Sequence, residues 1–130
     1  RDWSSDVCSS DLQILQQLLD LSGRHPEARG VVNFVGGWMA TACSTATTIN
    51  QTLFKRGATF PQPTLWLYGD KDPYYPLSHS RSNFAAYQAA GGRGTFNDYQ
   101  PPAGTSGHNI SGTPSLWDAA VTSYLRERGL

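Results

Sequence analysis

The chain has 130 residues, with 10 Lys plus Arg against 10 Asp plus Glu and 38% hydrophobic side chains. This balance offers no electrostatic footprint for nucleic acid or an anionic membrane surface, and no apolar run approaches the roughly 20 residues of a membrane span. Two cysteines, Cys8 and Cys43, are too few for a disulfide framework or a thiolate metal site.

The first twelve residues, RDWSSDVCSSDL, fit no structural period. Trp3, Val7 and Leu12 are spaced for neither a helix face nor a strand. No apolar stretch follows Arg1, as a signal peptide requires. The peptide DWSSDVCSSDL resembles one reading frame of a common short-read sequencing adapter joined to an open reading frame. Residues 1–12 are therefore expected to be an artefact, with residues 1–10 packing against nothing, and residues 13–130 to be the folded unit. Those 118 residues carry nine basic and seven acidic side chains, and Cys43 is then the lone cysteine.

From residue 13 the period alternates between helix and strand. Ile14, Leu18 and Leu21 share a helical stripe, with Leu15 and Leu19 beside it, and Ser22-Gly23 marks its end. GVVNFVGG is short, apolar and rich in β-branched residues, which predicts a buried strand over 31–35. In the mixed segment 38–60, Ile49, Leu53 and Phe54 suggest a short helix closed by Gly57. PTLWLYGD predicts a second buried strand over 64–68. SHSRSNFAAYQAAGG predicts a helix with Ser78 as N-cap and Gly91-Gly92 as its stop. GTFNDYQ, 94–100, alternates as an edge strand would.

In the last segment Ser115 and Asp118 have capping-box spacing. Trp117, Ala120, Val121 and Tyr124 form one apolar face. Arg126 and Arg128 fall in the last turn, where cations suit the helix dipole, and Gly129 follows as the stop. Strands separated by helices imply right-handed crossovers, so the fold class is α/β with three parallel strands and 64–68 in the middle.

Ligands in such sheets gather at the C-terminal ends of the strands. The second strand runs into YGDKDPYYP, and the third is followed by PPAGTSGHNI. A carboxylate thus follows one strand and a histidine the next. Gly-x-x-Asp, then Gly-His, then a closing amphipathic helix resembles the C-terminal half of the α/β-hydrolase fold. NFVGGW, PTLWLYGDKDPYY and PPAGTSGH look more narrowly like bacterial dienelactone-hydrolase-like proteins.

The resemblance implies a triad in the chain order nucleophile, acid, histidine, with Asp72 the acid and His108 the base. Asp70 competes for the acid role. The Gly-x-x-Asp register selects Asp72, and so does Pro73, which biases the residue before it to an extended, side-chain-presenting conformation. Gly107 is expected to leave room beside the imidazole. Trp38, Tyr74 and Tyr75 lie just past strand ends and are candidates to line an apolar pocket; ordinary core packing is the alternative. His25 and His79 are expected at the surface. Ser22 lacks the strand-to-helix setting of Gly-x-Ser-x-Gly, and Cys43 reads as a packing residue. No His/Glu/Cys set has metal-ligand spacing.

The family implies a hydrolase of carboxylic esters or lactones that works through an acyl-enzyme. It implies no cofactor, a small-molecule substrate, and neither a nucleic-acid nor a membrane partner. Nucleophile (Ser or Cys), elbow and oxyanion donors are expected before residue 13, so the chain by itself is expected to be inactive. A non-catalytic binding protein of the same fold is the alternative reading. An unrelated doubly wound domain is a third, with whether Asp72 and His108 are neighbours as the discriminating observation.

Overall fold

The computed structural model describes residues 27–36 and 45–130. Its strands are β1 (Val31–Phe34), β2 (Thr64–Gly69) and β3 (Gly94–Tyr99), and they form one parallel sheet in that order. Thr64 pairs with both Val31 and Gly94, and Leu67 with both Phe34 and Asn97. Helix α1 (Ala46–Gly57) connects β1 to β2, and helix α2 (Leu77–Ala89) connects β2 to β3. A 3-10 helix (Gly107–Gly112) and helix α3 (Pro114–Glu127) complete the chain. The architecture is α/β, with three parallel strands, flanking helices and β2 central. The predicted first helix, Trp38, Cys43, His25 and the twelve-residue opening lie outside the described residues.

Every residue of β2 is buried, as a strand covered on both faces must be. Its side chains alternate. Trp66 packs on Phe54 of α1 and on Phe84 and Tyr87 of α2, with ring centroids 4.7, 5.2 and 5.4 Å away. On the opposite face α3 covers the sheet, with Trp117 meeting Phe34 edge-on at 4.8 Å. Burying one Phe-sized side chain is worth up to about 3 kcal/mol, so this aromatic cluster anchors both helix layers to one strand. Tyr124 of α3 is buried as predicted. Its hydroxyl accepts from Val31 N at 2.9 Å and donates to Pro63 O at 2.6 Å, pinning the starts of β1 and β2 together.

Several local expectations are corrected. β1 is half-buried rather than buried, and ends at Phe34 because Val35 turns into the left-handed region at φ 47°. Helix α2 begins at Leu77 with Pro76 as N-cap, so Ser78 lies inside the first turn. Helix α3 begins at Pro114 with Thr113 as N-cap, and neither helix has a side-chain cap. Proline's fixed φ suits the first helical position and its missing N–H costs nothing there. The helix therefore starts one residue before Ser115, and the capping box does not form. Gly129 does end α3, at φ 70°.

Candidate functional site

Two loops meet at the C-terminal end of β2. The first leaves Gly69 and makes a tight turn, with Lys71 left-handed at φ 56°, which swings Asp72 back toward the sheet. The second follows β3 and enters the 3-10 helix that carries His108. Two glycines let them touch. A Cβ on Gly69 would lie 2.4 Å from Gly107 Cα, and a Cβ on Gly107 would lie 2.3 Å from Asp70 O. The motif glycines therefore pack backbone against backbone. This corrects the expected role of Gly107, whose bare Cα makes room for the β2 loop.

The 3-10 helix is held from its other side as well. Ile110 is buried in the core, and the Trp117 indole donates to its carbonyl at 2.8 Å. The sequence reading assigned Trp117 only an apolar face. Its N–H, a donor that needs a partner when buried, was the available signal for this support.

The loops place His108 Nδ1 3.2 Å from Asp72 Oδ2. The carboxylate is 1% exposed and the imidazole 36%. Asp72 Oδ1 accepts from Tyr74 N at 2.7 Å and Tyr75 N at 2.9 Å. A buried carboxylate requires such pairing. Because the carboxylate can only accept, it fixes the proton of a neutral His108 on Nδ1 and leaves Nε2 with its lone pair. Among the described residues Nε2 makes no hydrogen bond. A one-third-exposed imidazole in that tautomer can take a proton from a group presented to it and give it back.

Tyr74 and Tyr75 both pack on the imidazole. Tyr74 meets it edge-on at 4.7 Å, and Tyr75 lies tilted at 5.5 Å. Tyr74 is 59% exposed, whereas Tyr75 is half-buried against the core. Asp70 points elsewhere. Its Oδ2 accepts from Gln100 Nε2 at 3.1 Å, and that bond, with the Lys71 N–H, holds its carboxyl below the usual range.

The end of β1 lies in the same layer. Asn33 Oδ1 accepts from Gly36 N at 2.9 Å, and Asn33 Nδ2 donates to the Tyr68 hydroxyl at 3.1 Å. That hydroxyl donates in turn to the Gly36 carbonyl. Burial pushes the Tyr68 phenol far above its usual pKa, so it remains a donor. This network supports the left-handed Val35, a conformation that costs a non-glycine residue roughly 1–2 kcal/mol. The sequence reading did not single out Asn33 or Tyr68.

His79 is half-buried rather than at the surface, with Nε2 3.1 Å from Asn83 Nδ2, and burial lowers its pKa. Among the described residues no group of three or more His, Cys, Asp or Glu side chains is placed to hold a metal ion. No described helix is long and apolar enough to cross a membrane. Comparison with protein-family models, curated proteins and solved structures found no match to the chain.

Proposed function

We propose that the chain carries the acid and histidine of a serine- or cysteine-type hydrolase acting on carboxylic esters or lactones. In this reading it is the C-terminal half of a dienelactone-hydrolase-like α/β-hydrolase, and the nucleophile comes from sequence before residue 13. The observation that carries the reading is the bond between His108 Nδ1 and buried Asp72, which leaves Nε2 as the accepting nitrogen.

The chemistry follows from that tautomer. His108 Nε2 takes the proton of the hydroxyl or thiol as its oxygen or sulfur adds to the substrate carbonyl. The imidazolium returns that proton to the leaving alkoxide as the ester C–O bond breaks, giving the acyl-enzyme. Water then repeats the cycle and releases the acid. Asp72 keeps the proton on Nδ1 and stabilises the transient cation.

The test begins with the parent open reading frame, read about 100 residues upstream, a length set by typical domain size. A Gly-x-Ser-x-Gly or Gly-x-Cys-x-Gly turn is expected in that upstream sequence, just before residue 13. In that full-length protein His108→Ala should lower hydrolysis of a short p-nitrophenyl ester on the order of 10⁴-fold with unchanged circular dichroism. Near-unchanged turnover would remove His108 from the reaction. Absence of the elbow would favour a binding protein of the same fold.

A further inference from the structure

The geometry points to Tyr74 and Tyr75 as positioning residues that hold the acid and the imidazole as one unit, each tyrosine touching both partners. The inference rests on the hydrolase reading for its catalytic meaning, but its geometry stands without it.

Each tyrosine acts twice. Their backbone N–H groups converge on Asp72 Oδ1, at 2.7 and 2.9 Å. This occupies one carboxylate oxygen and sets the plane of the group, so that Oδ2 is the oxygen presented to His108. Pro73 is what makes the arrangement local. It has no N–H of its own and a fixed φ, so the donors within reach of Asp72 are those two and three residues on. The same two residues then turn their rings onto the imidazole, at 4.7 and 5.5 Å.

The two rings differ in setting. Tyr75 is packed against the core and supports the imidazole from inside. Tyr74 is 59% exposed and buries little against the core, and His108 is the one aromatic neighbour of its ring among the described residues. An exposed aromatic held edge-on against one imidazole shields the Nδ1–carboxylate bond from water. Water competes for both ends of that bond, and at 3.2 Å it is long for a charge-assisted contact. Excluding water strengthens it.

A substrate wall would act differently. It would leave the imidazole unchanged and alter only substrate affinity. The test therefore reads the imidazole itself. In the present chain with ¹⁵N-labelled histidine, His108 is assigned by its loss in His108→Gln. Its nitrogen shifts should show a single Nδ1–H tautomer at a pH where the ring is neutral. Tyr74→Leu should convert this to a mixture of both tautomers, and Tyr74→Phe should restore the single form. The amide spectra of all three should otherwise overlay. An unchanged tautomer in Tyr74→Leu would overturn the inference.

In the full-length parent, Tyr74→Leu should lower kcat with little change in KM, and Tyr74→Phe should recover it. A rise in KM alone would also overturn the inference, and would make Tyr74 a substrate contact. If the parent hydrolyses no ester while the tautomer result holds, the hydrolase reading fails and the positioning role stands.

Discussion

Asp72→Asn keeps the shape of the side chain but replaces an acceptor-only carboxylate with an amide that can offer N–H to Nδ1. The proton of His108 then moves to Nε2, the nitrogen that acts as base in the proposed reaction. In the proposed full-length hydrolase, ester hydrolysis should fall by about 10⁴-fold, close to the loss for His108→Ala. Asp70→Asn, whose carboxylate meets Gln100 instead, should leave turnover within a few-fold. Paired kinetics on the two variants separate the acids. At this scale the candidate site was legible, because Asp72 lies three residues past Gly69 at the end of β2 and His108 directly follows Gly107 in the loop after β3. The role of Gly107 was not. A sequence shows that a residue has no side chain, but not which backbone comes to lie against it. Gly107→Ala would drive a methyl to 2.3 Å from Asp70 O. It should cost about 1–3 kcal/mol by overpacking, read as a lowered urea midpoint, and it should disturb His108 even though the imidazole is unaltered.

At the scale of elements, strand positions were legible because β2 and β3 carry clean apolar or alternating patterns. Helix starts were less so. Thr113, Pro114 and Ser115 offer three adjacent start signals, and the proline's fixed torsion outweighs the hydroxyl's hydrogen bond. On α2, His79 shows how a polar-looking face can be buried. Ser80 and Asn83 are each 1% exposed, and His79 lies against Asn83. Burial disfavours the imidazolium, so the folded pKa of His79 lies below its ordinary value of about 6.5. The unfolded chain then takes up its proton first as the pH falls. The contribution of His79 to stability is complete above about pH 6.5 and is lost as the pH drops through the lowered folded value. Urea denaturation at about pH 7 and about pH 5 should show a smaller loss for His79→Gln than for the unsubstituted chain. The other histidines are common to both proteins, so the difference belongs to His79. An equal or greater loss would show that its burial is uncoupled from folding.

Across the whole molecule one hydroxyl ties elements far apart in sequence. Tyr124 bonds both Val31 N and Pro63 O, and Gly30 makes way for it, since a Cβ there would lie 2.2 Å from the phenolic oxygen. Tyr124→Phe should leave that N–H and that carbonyl without their protein partner and cost about 1–3 kcal/mol, measured as a drop in melting temperature. The sequence reading placed Tyr124 on the buried face of its helix. It could not anticipate the two bonds, because they span 93 and 61 residues and exist only once the three elements dock.

The contact of Gly69 with Gly107 bears on how such a chain can change over generations. It joins the two ends of a 39-residue stretch directly, so the distance between Asp72 and His108 is set by that meeting of backbones rather than by the length of chain between them. The connection after β3 runs exposed through Gly104, at φ 82° with open space around its Cα. Insertions there should drift freely, lengthening the chain between Asp72 and His108 without separating them. The two glycines themselves should be nearly immutable, and the spacing Gly69 to Asp72 should be fixed. Relatives of this domain are then better sought by those two short fixed pieces, with a gap of variable length between them, than by similarity spread along the chain.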